Sequence, residues 1–276
     1  MNETLLDRLT ADPTPPVKGR GTTLNPENRF ERIKIATDLD WLEDEPEHNV
    51  ATEYFLDHTK TILSKNDSYD LSFTYSINPY RGCEHGCIYC YARPTHEYFG
   101  LSAGLDFETK IFVKPDAPRL LEKQFQSKSW RPQVVAFSGN TDCYQPIEKE
   151  LQITRKCLEV FLKFRNPVGV ITKNALILRD LDILQELAKY NLAAATISVT
   201  TLDNQLARKM EPRTSAPAKR LEALERLVAA GIPTNVNVAP VIPGLTDHEM
   251  PAILKEAAGR GVKHAAYILM RLPYSV

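Results

Sequence analysis

The stretch VGVITKNALILRDLDILQELAKYNLAAATISVT, Val168 to Thr200, holds one complete structural unit. VGVITK is a short apolar run rich in β-branched residues, LRDLDILQELAKY places apolar residues at helical spacing, and AAATISVT is a second short apolar run. Strand, helix and strand in that order make a parallel pair joined by a right-handed crossover. The unit recurs outward in both directions. QVVAFSG precedes IEKELQITRKCLEVFLKF, AAATISVT precedes AKRLEALERLVAAG, PTNVNVAPVI precedes DHEMPAILKEAAGRG, and HAAYILMRL follows. Upstream, LSFTYSI alternates as a strand does. Gly231 and Gly261 stand where helix C-caps belong.

This alternation is an α/β pattern with a parallel sheet, which a doubly wound sheet and a barrel both satisfy. The six core strands are fewer than the eight of a closed barrel. We therefore read a partial, open (β/α)6 TIM-like barrel over residues 71–276, preceded by an irregular N-terminal arm over residues 1–70. The arm is rich in Pro, Asn and charge, carries the acidic cluster DLDWLEDEPEHN, and is expected to pack through Phe30, Ile33, Trp41 and Tyr54. Residues before Arg20 read as disordered. Inside the core domain a helix is expected over Tyr91–Tyr98, an extended piece at KIFVKP, and a helix opened by Asp116 and Pro118. The sequence ends as YILMRLPYSV, with no helix pattern after the last strand, which reads as a truncated final unit.

Composition narrows the function classes. With 34 Lys and Arg against 35 Asp and Glu, the net charge of −1 makes no electrostatic case for a nucleic-acid or membrane partner. No apolar run approaches the roughly 20 residues that span a bilayer, and MNETLLDRLTADPTPPVKGRG lacks the apolar core of a signal peptide. Five cysteines, an odd number, do not form a disulfide framework. A cytoplasmic location is the expectation.

Three of the five cysteines lie in NPYRGCEHGCIYCYARPTHEYFG, as Cys83, Cys87 and Cys90 with C-x3-C-x2-C spacing. Gly82 and Gly86 supply the backbone freedom that three converging thiolates need. A zinc site would require a fourth ligand, His85, His96 or Cys143, and would suit a zinc-stabilised, non-catalytic nucleic-acid-binding module. An iron–sulfur cluster takes thiolates naturally, and three cysteines on a cubane leave one iron open. The loop follows the first core strand, at the strand end that carries chemistry in parallel α/β folds. The same end of later strands carries SGNTD (138–142), TKN (172–174), SVTT (198–201) and PVIPG (240–244). Taken singly, each is an ordinary βα turn.

CEHGCIYC resembles the cluster motif of the radical S-adenosylmethionine (SAM) superfamily. Within it, GRG, NPENRFE, NPYRGCEHGCIYCYAR, TDCYQPIEKE, TKNALILRDLDIL, EPRTSAP and APVIPGLTD resemble the spore photoproduct lyase-related, DNA-repair-photolyase-like group, in the same order along the chain. The resemblance implies a partial barrel of the radical SAM type and a [4Fe-4S] cluster on Cys83, Cys87 and Cys90. It implies S-adenosyl-L-methionine on the open iron, cleaved to a 5′-deoxyadenosyl radical that abstracts a substrate hydrogen, with a one-electron reductant such as flavodoxin or ferredoxin as partner. By matching, Asn140, Thr141 and Asp142 meet the cofactor's ammonium, Lys173 its carboxylate and Ser198 its ribose, while Ile242 and Tyr89 flank the adenine. A DNA lesion is the substrate the kinship suggests. Tyr91 matches a radical-relay tyrosine. Cys143 is the thiol nearest to Asp142 in sequence, read either as a hydrogen donor or as a small buried hydrophobe. Cys157 falls in a helix's apolar pattern. Arg213, Arg220 and Arg271 are candidates to hold an anionic substrate, and His96 is a candidate proton donor.

Overall fold

The computed structural model describes residues 17–26, 28–30, 50–66 and 73–272. Ile33, Trp41, the acidic cluster 38–49 and the residues before position 17 lie outside these, as do the first two residues of LSFTYSI.

Six parallel strands form the body of a seven-stranded sheet: β1 (Tyr75–Ile77), β2 (Val135–Phe137), β3 (Val168–Thr172), β4 (Ala193–Ser198), β5 (Thr234–Val241) and β6 (His264–Leu269). They lie side by side in chain order. A doubly wound sheet reverses its strand order at a switch point; this sheet never does, so the chain winds one way as a barrel does. The seventh strand, Leu63–Lys65, runs antiparallel along β1 with Leu63 opposite Ile77. Among the described residues the two edges do not meet, and the barrel is open.

Burial alternates along the strands. Val168, Val170, Ala193, Ala195, Ile197, Val236 and Val238 are buried in one continuous core with the helices Ile153–Phe164, Leu181–Ala188, Pro217–Ala229 and Met250–Gly259. In Ile153–Phe164 the buried residues Ile153, Cys157, Leu158, Val160 and Phe161 make one stripe, as a 3.6-residue period requires. The other sheet face carries half-buried Ile171, Thr196 and Asn235, with Asn235 Nδ2 donating to Thr196 Oγ1 at 3.4 Å. The concave side is therefore partly polar and open. Gly231 (φ +75°) and Gly261 (φ +84°) take up the left-handed conformation that ends a helix.

Two local expectations are corrected. Residues 93–99 form a 3-10 rather than an α-helix, begun by Arg93-Pro94 and stopped by Gly100 at φ +72°. The arm is not irregular throughout: Glu53–Leu56 pairs in parallel with Lys110–Val113, which pairs antiparallel with Tyr80–Arg81. That small sheet lies beside the cysteine loop. β6 is exposed along its whole length. Among the described residues no helix is long and apolar enough to cross a membrane.

Candidate active site

The cysteine loop leaves β1 through Asn78 and the short strand Tyr80–Arg81, and neighbouring backbone carbonyls and buried side chains satisfy its backbone. Cys83 N donates to Phe107 O at 2.9 Å, Ile88 N to Met210 O at 3.0 Å, and Glu84 N to Gln145 Oε1 at 3.0 Å. Gln145 Nε2 returns a bond to Gly82 O at 3.2 Å. Arg93 directs Nε and Nη2 at the Cys87 carbonyl, 3.1 and 2.8 Å away, and pairs with Glu108 at 2.5 Å, both side chains buried. Burying such a pair is tolerable only when its remaining hydrogen-bond sites are filled. Here the fillers are loop carbonyls and the arm, whose Gly21 N donates to Glu108 Oε2 at 2.9 Å. A Cβ at Gly21 would lie 1.8 Å from Gly86 O, so only glycine allows the arm this close. Gly86 itself sits at φ +68°.

With the backbone so committed, the three thiols are what the loop presents. Burial pushes Cys83, Cys87 and Cys90 above the ordinary thiol range, and at Cys83 the Asp142 carboxylate and the other two sulfurs add to it. Three sulfurs that repel one another as thiolates in a dry site are a donor set for metal, which removes both penalties on binding. The candidate zinc ligands do not complete such a site. His85 is 1% exposed, with Nδ1 3.5 Å from Asp142 Oδ2 and Nε2 3.3 Å from Asn174 Nδ2. His96 is buried among Phe99, Phe107 and Phe112, with Nε2 2.9 Å from Lys110 O, so it is no exposed proton donor either. Cys143 is fully buried in the main core, its N–H donating to Ser138 Oγ and its carbonyl accepting from Thr154 Oγ1. That placement corrects the reading of Cys143 as a hydrogen donor at the mouth and agrees with the buried-hydrophobe reading. Among the described residues no three His, Cys, Asp or Glu side chains close around a single ion. An iron–sulfur cluster, in which each thiolate would hold a different iron, fits the donor set.

The neighbouring strand ends converge on this loop. Asn78 Oδ1 accepts from Asn140 N and Thr141 N at 2.9 and 3.3 Å, tying SGNTD to the loop's first residue. Thr141 is buried, its hydroxyl donating to Tyr80 O at 2.8 Å. Asp142 is a hub: Oδ1 accepts from Tyr144 N (2.8 Å) and Thr172 Oγ1 (2.7 Å), and Oδ2 from Lys173 N (2.8 Å). Its bond from Tyr144 N caps the turn that follows it, and the same carboxylate faces His85 of the loop. Lys173 is not a solvated surface lysine. Its Nζ reaches Ala239 O at 3.1 Å, lies 5.8 Å from the Tyr89 ring centroid, and its charge acts to lower the pKa of both Cys87 and Cys90. Tyr89 is buried, donating to Glu211 Oε2, with Thr200 Oγ1 3.3 Å from its hydroxyl. Ser198 is buried at the end of β4, and half-buried Ile242 follows β5, its N–H donating to Thr246 Oγ1 at 2.9 Å. Tyr91 is 59% exposed at the rim, its hydroxyl donating to Gly139 O at 2.9 Å.

A buried ion pair that the sequence did not reveal underlies this surface. Arg220 and Glu211, both with fully buried side chains, meet at 2.5 Å. Arg220 also donates to Ser215 O (2.7 Å), Ser198 O (3.2 Å) and Thr214 Oγ1 (2.5 Å). Burial alone would raise the Glu211 carboxyl; Arg220 and Lys173 outweigh it and hold the group below its ordinary value. Arg220 is thus internal scaffolding, not a clamp for an anionic substrate. Arg213 stays half-exposed beside Glu84, and Arg271 is exposed after β6. EPRTSAP contained the signal for Glu211, since its acid directly follows the buried Met210 that ends a helix, but charged residues are normally read as surface.

An open half-barrel with strands in chain order and a thiol triad at its mouth defines a class: partial-barrel enzymes organised around a metal cluster. Residues 77–257 match the Radical SAM superfamily. An uncharacterized protein of Mycobacterium tuberculosis is 36% identical over 193 residues, covering 69% of this chain and 57% of that protein. A radical SAM Nalpha-GlyT isomerase of Pseudomonas phage M6 is 23% identical over 203 residues, covering 71% of this chain and 39% of that protein. The chain thus spans little more than half the length of the first relative and less of the second. In structure it is similar to spore photoproduct lyase with bound AdoMet and dinucleoside spore photoproduct, with a TM-score of 0.59 at 18% identity, covering 81% of this chain and 62% of that one. The chain belongs to the radical SAM superfamily, whose enzymes carry a [4Fe-4S] cluster and S-adenosylmethionine.

Proposed function

We propose that this radical SAM enzyme abstracts a hydrogen atom from a base carried on a nucleic-acid strand, with the cluster on Cys83, Cys87 and Cys90. When bound, the cluster supplies one electron that cleaves S-adenosylmethionine and so makes the hydrogen-abstracting radical. The chain's own residues hold and orient. Asp142, with Asn140 and Thr141 beside it, offers acceptors to the cofactor's ammonium through a charge-assisted bond. Lys173 pairs with its carboxylate, Ser198 reaches the ribose, and Tyr89 and Ile242 flank the adenine. The observation that carries this reading is the half-buried Lys173 ammonium, which lies 5.8 Å from the Tyr89 ring centroid and donates to Ala239 O at 3.1 Å. A one-electron protein such as a flavodoxin or ferredoxin is the proposed reductant.

The substrate class rests on likeness to a structure holding a dinucleoside photoproduct. With Cys143 in the core, a lesion lyase on this scaffold would take its hydrogen from another group, and Tyr91, exposed at the rim, is that candidate. The test is anaerobic reconstitution with iron and sulfide, then reduction in the presence of S-adenosylmethionine. Wild type should form 5′-deoxyadenosine. Lys173→Ala and Asp142→Ala should keep their iron and bind S-adenosylmethionine about ten- to a hundredfold more weakly, the equivalent of one charged hydrogen bond of roughly 1.5–3 kcal/mol. Unaltered affinity in both variants would overturn the assignment of these strand ends.

A further inference from the structure

Outside the cluster site, a cleft of about 520 Å³ lies against the outer side of the cysteine loop. Lys18, Arg20 and Arg213 line it with Thr52, Tyr54 and Glu84. Two guanidinium groups from distant parts of the chain meet there on one hydroxyl: Arg20 Nη2 donates to Thr52 Oγ1 at 2.8 Å and Arg213 Nη1 at 3.4 Å. Such like charges are held together only at a cost, and burial followed by the charge of Arg213 lowers the pKa of Arg20. Among the described residues that line the cleft, the one carboxylate is Glu84, and it is already shared. It faces Arg213 at 3.2 Å, accepts from Tyr54 and Thr52 through Oε1, and accepts from Ile147 N through Oε2. Among the described lining residues, three cations against one committed carboxylate make the cleft net positive in a chain whose net charge is −1.

Its shape narrows the ligand. Tyr54, 46% exposed, forms the boundary between this cleft and a second of about 300 Å³ lined by Phe55, Leu56 and Val113. A cationic track that runs past an exposed aromatic ring into an apolar cleft is the combination single-stranded nucleic acids use, phosphates on the cations and a base on the ring. The cleft also adjoins the site. Arg213 N donates to His85 O at 3.1 Å, and Glu84 and His85 both belong to the cysteine loop.

We infer that the Lys18–Arg20–Arg213 cleft binds the phosphodiester backbone of a single-stranded nucleic acid, and so places a strand beside the cysteine loop. This rests on the proposed nucleic-acid substrate and assigns it a docking surface. Phosphate contacts fix position without reading sequence, so affinity should depend on salt and little on base.

Fluorescence anisotropy of a labelled single-stranded 12-mer oligothymidylate, with the reconstituted full chain over a salt series, tests it. Wild type should bind, and Arg213→Gln and Lys18→Gln should each weaken binding about three- to tenfold at low salt. Each should also reduce the slope of log K against log salt by about 0.7, the value for one single-strand phosphate contact. Lys18 is exposed, so its variant keeps the test valid if Arg213→Gln folds poorly. Unchanged slopes in both variants, or no binding by wild type, would overturn the assignment. So would a site that takes thymidine monophosphate or inorganic phosphate, loses them in the variants, and ignores the 12-mer, because it would then serve a small anion. Cofactor cleavage is scored separately on wild type without nucleic acid. Its failure would sink the proposed radical chemistry and leave the binding result standing.

Discussion

Replacing Arg220 with methionine is the sharpest test of how the site is supported. The variant removes the 2.5 Å partner of Glu211 and the donors to Ser198 O, Ser215 O and Thr214 Oγ1, all from a side chain with no exposure. Glu211 keeps Tyr89 and Thr200 but loses its principal counter-charge. Breaking a buried pair from one side costs about 3–5 kcal/mol, because the remaining charge stays dehydrated. For a domain of this size each kcal/mol lowers Tm by roughly 2–4 °C, so the melt should fall by about 6–20 °C. Glu211→Gln combined with Arg220→Met removes the stranded charge, and the double variant should be more stable than Arg220→Met alone by about 2 kcal/mol or more. Anaerobic differential scanning fluorimetry on the four proteins gives the cycle. If Arg220→Met melts within 2 °C of wild type, or the double variant is no better than the single, the pair is not the scaffold described here. Because Ser198 and Tyr89 both rest on it, the loss should also appear as weaker S-adenosylmethionine binding at temperatures where the fold survives.

Alanine at Cys83, Cys87 or Cys90 should each abolish the cluster, leaving a colourless protein, whereas Cys143→Ala and Cys157→Ala should retain about four irons per chain by colorimetric assay. Gly21→Ala drives a Cβ to 1.8 Å from Gly86 O, so the arm must lift from the loop, and limited proteolysis should cut it faster than in wild type. The Glu211 carboxyl sits below its ordinary 4.5, so its contribution to stability is complete above that pH and is lost as pH falls through the lower folded value. Acid melts should therefore steepen below about pH 4.5 in wild type and flatten there in Glu211→Gln.

The sequence carried the barrel because its strands and helices obey different periods, and β3, β4 and β5 bury every second residue as that reading requires. Winding in one direction was not legible, since a periodicity records elements and not their neighbours. The small sheet of Glu53–Leu56 escaped notice because its strand is exposed at every position and so has no alternation to read. The cysteine triad was plain from spacing alone. The charges that hold it were not: Glu84, Glu108, Arg93, Glu211 and Arg220 are fully or almost fully buried, and residue type suggests solvent for all of them. Cys143 could be judged only by depth, because one residue beyond Asp142 the side chain turns from the mouth into the core.

The clamp of Arg93 on the Cys87 carbonyl also bears on how the enzyme outlives its cofactor. In small zinc domains metal binding and folding are one event, and removing the metal unfolds the chain. Here protein groups anchor the loop's backbone: Arg93, Glu108, Gln145 and the arm. Loss of iron to oxygen should leave three thiols on a standing frame. Recovery is then a matter of ligand exchange on a folded protein, at the speed of iron and sulfide delivery rather than of folding.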